Sequence, residues 1–127
     1  ARQFVYIVEE SGVTPMFYMA WAYERLDWID MDEIATAHNE ISTELSVAVA
    51  PVGLAWQSSV TERPDINLYD EDNEHPSMSG SYLATNVIFA TISGEDPQNA
   101  SYIPEEITNE NAAFLRRIAA ESVPESQ

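Results

Sequence analysis

The chain contains no cysteine and no lysine. Without cysteine, neither a disulfide framework nor a thiolate metal site is available, and the redox compartment is left open. Without lysine, the five basic residues are all arginine (Arg2, Arg25, Arg63, Arg116 and Arg117), set against 22 acidic residues for a formal net charge of −17. Such a surface repels nucleic acid and anionic membranes, so neither is expected as a partner. It also repels itself, which penalises the compact state at low ionic strength. In molar salt the screening length falls to about 3 Å and that penalty largely disappears. The acids are scattered along the chain and do not form one tail, which suggests a halophilic, salt-accumulating origin. An ordinary acidic bacterial protein with few lysines is the plainer alternative. No apolar run approaches the length of a membrane span, and no signal-peptide pattern is visible. The compartment therefore stays open.

At 127 residues the chain is expected to form a single domain with one core. The first residue is Ala1 and not methionine, so a processed product or a fragment is expected. Arg2 to Glu10 is ambiguous: Phe4, Val5, Tyr6, Ile7 and Val8 have strand propensity, yet Ser11-Gly12 looks like a helix C-terminus. Thr14 to Tyr23 is a nearly continuous apolar run, as in a strand covered on both faces. Met31, Ile34, His38, Ile41 and Leu45 recur at helical spacing, with Asp32, Glu33, Glu40 and Glu44 largely on the other side. Ser46 to Val52 reads as a second short strand and Leu54 to Val60 as a short helix. An acid-rich connection follows through Arg63-Pro64 and Asp70 to Glu74. After His75-Pro76, Ser77 or Ser79 can cap a helix that runs to about Ser93 and stops at Gly94. A last amphipathic helix is expected from about Pro104 to Ser122. This order of strands and helices points to an α/β fold with a short parallel sheet flanked by helices.

The segment Asp72-Asn73-Glu74-His75-Pro76 carries the chemistry. An acid three residues before a histidine can accept a hydrogen bond from one ring nitrogen and leave the other free to take a proton from a nucleophile. Pro76 fixes the backbone just beyond. The plain alternative is an acidic loop in which Asp72 caps a turn and His75 is solvated.

That segment belongs to an ordered set: Phe17-Tyr18-Met19-Ala20-Trp21-Ala22, Ala50-Pro51-Val52-Gly53-Leu54-Ala55-Trp56-Gln57, Leu68-Tyr69, Asp72 to Ser77, and Gly80-Ser81-Tyr82-Leu83-Ala84. Together these resemble the C-terminal half of an SGNH (GDSL-type) hydrolase from a poorly characterised bacterial branch. The likeness covers roughly residues 1–95, and residues 96–127 form a C-terminal extension with a helix. The resemblance implies a partial flavodoxin-like three-layer fold and a serine esterase activity. Within it, Asp72 and His75 match the family's Asp-x-x-His block, with His75 as general base and Asp72 as its orienting acid. The Gly-Asp-Ser or Gly-Asn-Ser turn, the glycine block and the oxyanion asparagine of the family have no match here. The serine nucleophile is therefore expected to lie outside these residues.

Trp21, Tyr23 and Trp56 lie at the ends of the expected strands, where ligand-binding loops gather in α/β sheets. They are candidates to line a substrate cleft, although aromatic packing at the sheet edge explains them equally well. Ser77, Ser79 and Ser81 suit helix capping better than nucleophilicity, and Ser11 suits a helix end. His38 reads as a packed histidine, and Arg25 as the partner of one of many acids. No metal site is expected: Asp70, Glu71, Asp72, Glu74 and His75 lack calcium-hand spacing, and one histidine among carboxylates is a weak zinc signal. No cofactor is expected. The resemblance implies a small-molecule or carbohydrate ester as substrate, acetyl esters included. A sheet of two or three strands leaves an unpaired edge, so self-association or a separate N-terminal half is expected to cover it. The reading from a different class is a non-catalytic α/β interaction or oligomerisation module derived from the same fold.

Overall fold

The computed structural model describes residues 1–124; the last three residues of the C-terminal extension lie outside the described residues. Among those described, the chain folds as α1 (Arg2–Glu10), β1 (Met16–Tyr18), α2 (Met31–Leu45), β2 (Ala48–Ala50), α3 (Val52–Glu62), α4 (Met78–Ser93), a 3-10 turn at Pro97–Asn99 and α5 (Asn109–Ser122). The fold is α/β but mostly helical, with five α-helices and a two-stranded parallel sheet among the described residues. β1 and β2 pair in the register Met16↔Ala48, Phe17↔Val49, Tyr18↔Ala50, and α2 provides the crossover that parallel pairing requires. No helix among the described residues is long and apolar enough to cross a membrane.

Local chemistry sets most of the boundaries. Arg2 to Glu10 is a helix despite its β-branched and aromatic residues, and Gly12, at φ 74°, takes the left-handed turn that ends it. The Asp30 side chain accepts from the Glu33 amide at 2.9 Å while the Glu33 carboxylate accepts from the Asp30 amide, a reciprocal cap at the start of α2. Ser77 caps α4 and Gly94, at φ 71°, closes it. The last helix starts later than its periodicity suggests. Pro104 to Ile107 forms a turn (Ile107 N to Pro104 O, 3.1 Å), and Thr108 becomes the cap by accepting from the Asn111 amide.

The long apolar run from Thr14 to Tyr23 forms far less strand than expected. Only Met16–Tyr18 pairs, and Tyr18 is exposed. Beyond it the chain is spent on packing contacts: Met19 is buried, and its amide donates to Ala50 O at 3.0 Å while its carbonyl accepts from Gly53 N at 2.9 Å. A methyl on Gly53 would lie 2.3 Å from Ala20 O, so the start of α3 fits against this segment only as glycine. The main core lies among α3, α4 and α5, with Val52, Leu68, Leu83, Val87, Leu115 and Ile118 at its centre. A smaller cluster of Met19, Met31 and Ala35 joins α2 to the sheet.

Candidate active site

The loop between α3 and α4 is a closed structure built from short-range bonds. Its two stems meet at an antiparallel bridge between Tyr69 and Pro76, flanked by Asp70 N to His75 O (2.8 Å) and Ser77 N to Leu68 O (2.9 Å). Neither bond uses the proline nitrogen, so Pro76 stiffens the stem at no cost in hydrogen bonding. Asn73 turns the tip at φ 55°, a conformation that asparagine tolerates better than most residues. One oxygen of Asp72 accepts the main-chain amides of Glu74 (3.0 Å) and His75 (2.9 Å). The other lies 2.5 Å from Nδ1 of His75. The carboxylate therefore shapes the loop and orients the imidazole at once.

The electrostatics follow from that geometry. The hydrogen bond from His75, with the two amides, holds the Asp72 carboxyl down at about 2. The same bond and the negative charge of Asp72 raise the His75 imidazole above its ordinary value, with smaller contributions from Glu74 and Asp70. The pair stays open to solvent, with side chains 71% and 49% exposed. Water screening limits what it adds to stability. Its consequence is chemical: Nδ1 is committed to Asp72, and Nε2 points from an exposed ring, ready to accept a proton.

No hydroxyl among the described residues is hydrogen-bonded to His75. Ser77 donates to Asn67 O at 2.8 Å and accepts from Gly80 N at 3.2 Å, so capping occupies it. Ser11 donates to Ile7 O within its own helix. Ser81 lines a separate hollow beside Met78, Tyr82 and Tyr102. His38 is half-buried on α2 with Nδ1 2.8 Å from Ile34 O, apart from this loop.

The aromatic candidates divide. Trp21 and Trp56 stack with ring centres 4.1 Å apart and planes within 9°, and Tyr69 meets Trp56 edge-on at 5.1 Å. These three line a hollow of about 300 Å³ together with Met31, Gly53 and Gln57. Tyr23 is not part of that lining; its ring lies 5.8 Å beneath the guanidinium of Arg25, which itself pairs with Glu74 at 2.6 Å. Tyr69 is the residue that sequence reasoning passed over. Its hydroxyl donates to Ala22 O at 2.7 Å, and its one signal was its place in the Leu68-Tyr69 element of the ordered set. Gly80 is the other. A methyl there would lie 2.2 Å from Leu68 O and 2.6 Å from the Trp56 ring, so glycine alone lets α4 approach the stem that carries His75.

With this geometry in place, comparison with known proteins yields a likeness of fold. The structure superposes on the crystal structure of a DUF4886 family protein from Bacteroides uniformis with a TM-score of 0.77 at 18% sequence identity. The match covers 94% of this chain and 52% of that one, so the chain spans about half the length of that protein. No protein-family model matches the chain, and no curated protein matches it.

Proposed function

We propose that the chain is the part of an SGNH-type ester hydrolase that carries the acid–base pair, in a flavodoxin-like three-layer fold, with the serine nucleophile supplied from outside these residues. The single observation behind this reading is the division of labour at Asp72: one oxygen splints the loop and the other holds Nδ1 of His75, leaving Nε2 open. A loop that only needed a turn has no use for the second contact. The length of the structural neighbour, about twice that of the matched region, leaves room in such a fold for the missing groups.

In the proposed reaction, Nε2 of His75 accepts the serine proton as the hydroxyl oxygen attacks the ester carbonyl. Asp72 stabilises the imidazolium that results without taking its proton. His75 then returns the proton to the leaving alcohol, and a water repeats the cycle on the acyl-enzyme. Carbohydrate O-acyl esters, acetyl esters among them, are the substrate class. The hollow beside Trp21 and Trp56 is apolar enough to receive a sugar face or an acyl group. No cofactor enters the scheme.

The test is hydrolysis of a short-chain p-nitrophenyl ester by this chain alone and by the chain joined to an upstream portion bearing a Gly-Asp-Ser or Gly-Asn-Ser turn. Turnover by the joined protein that His75→Ala leaves intact would remove the assigned role. Turnover by the chain alone that persists without His75 would require another mechanism.

A second reading, a non-catalytic interaction module, is favoured by one observation. α1, β1 and the link between them expose Phe4 (76%), Ile7 (54%), Val13 (59%) and Tyr18 (44%), beside a strand whose single partner among the described residues is β2.

A further inference from the structure

We infer that Trp21 is a positioning residue for His75, holding the catalytic loop to the sheet through the main-chain carbonyl of Glu74; this rests on the reading of His75 as the general base. The loop carries Asp70, Glu71, Asp72 and Glu74 within a few residues, and four carboxylates so close repel one another. Its internal bonds shape the loop, yet against that repulsion they keep Asp72 closed on Nδ1 of His75 only while the loop is anchored to the rest of the fold. Four contacts with the segment after β1 supply that anchor. The indole N–H of Trp21 donates to Glu74 O at 2.9 Å. Arg25 pairs with the Glu74 carboxylate at 2.6 Å, and its amide reaches Asn73 O at 3.4 Å. Tyr69, at the foot of the loop, donates back to Ala22 O.

The segment that makes these contacts is itself referenced to the sheet through Met19, bonded to Ala50 and Gly53 on either side. The Trp21 ring is locked by stacking on Trp56, which is 3% exposed. A rigid line therefore runs from β2 through Met19 and Trp21 to Glu74, the residue before His75. Positioning of this kind governs rate, because a small displacement of a catalytic group costs turnover while leaving binding largely intact.

Trp21→Phe separates the two jobs of the side chain: it keeps a ring against Trp56 and removes the N–H. The chain has two histidines, so NMR titration of the imidazole nitrogens reads His75 directly with His38 as an internal reference. The charges facing the ring are Asp72, Glu74 and Asp70, with Arg25 on Glu74, and Trp21→Phe alters none of them. The expected result is a His75 midpoint that falls part of the way toward that of Asp72→Asn, with His38 unmoved. In the joined enzyme kcat should fall about tenfold with KM within about twofold. Tyr69→Phe, which removes the bond to Ala22 O, should move the midpoint in the same direction and covers the case in which Trp21→Phe fails to fold. An unchanged His75 midpoint in a folded Trp21→Phe or Tyr69→Phe protein overturns the inference. A midpoint that moves, in an enzyme whose turnover is indifferent to His75→Ala, upholds the positioning and removes the hydrolase reading instead.

Discussion

Nδ1 of His75 lies 2.5 Å from one oxygen of Asp72 while the main-chain amide of the same histidine donates to the other, at 2.9 Å. Both oxygens of one carboxylate thus serve a single residue, one fixing its backbone and the other its ring. The pH behaviour follows. In the proposed reaction His75 acts as a base only when neutral, and its affinity for protons is raised, so turnover should appear on a limb that rises with pH above the ordinary histidine range. Asp72→Asn should move that limb to lower pH and still reduce the plateau, because the productive tautomer is no longer held. A pH–rate profile with the two variants side by side checks both signs.

The loop should also respond to acid. The Asp72 carboxyl is depressed from 3.8 to about 2, so its stabilisation is complete above the ordinary value and lost as pH falls through the depressed one. The contribution of His75 has the opposite sense: present below its ordinary value of 6.5, lost as pH rises through the raised one. Protection of the Glu74 and His75 amides, taken as exchange relative to the intrinsic rate at each pH, should therefore be greatest within that window and fall on both sides of it.

His75→Ala should cost the joined enzyme about 10²–10⁴-fold in turnover. The unfolding midpoint should barely change, since the ring is largely in solvent. A large loss of stability with unchanged turnover would reverse the assignment from chemistry to structure.

Gly80→Ala should destabilise the fold by about 1–3 kcal/mol, the usual cost of forcing a methyl into a filled space. The obstacle is the carbonyl of Leu68, 2.2 Å from the new carbon, and main chain yields less readily than a side chain. Denaturant unfolding measures the loss, and the His75 resonance should shift with it because α4 and the loop stem move apart together.

Salt should stabilise the chain. With a net charge of −17, raising sodium chloride from 0.1 M to 1 M shortens the screening length from about 10 Å to about 3 Å and relieves the repulsion among acids. The thermal midpoint should rise over that range; a flat response would remove the saline reading. Light scattering in the same series tests the exposed face of α1 and β1, where a monodisperse monomer would contradict association through that edge.

How much was legible depended on the reach of each interaction. α2 emerged with its expected span because Asp30, Glu33 and the apolar positions act within a few residues of one another. The cap at Ser77 and the stop at Gly94 were readable for the same reason. Arg2 to Glu10 was not, because propensity and termination signals disagreed and the turn at Gly12 prevailed. The stretch from Thr14 to Tyr23 was over-read as strand: hydrophobicity does not say whether a residue pairs in a sheet, as half-buried Phe17 does, or packs beside one, as buried Met19 does.

The sequence by itself determined the contact between Asp72 and His75, since the two are three residues apart and a local turn suffices to bring the carboxylate to the ring. It determined the spans of α2 and α4 on the same local grounds, and the dominance of negative charge by composition. Tertiary structure alone decided which aromatic residues share a hollow and that Trp21 grips a carbonyl 53 positions away. Those contacts depend on the pairing of β1 with β2 and on the seat of α4 against Leu68. No local pattern carries the distance between segments that the chain brings together only by folding.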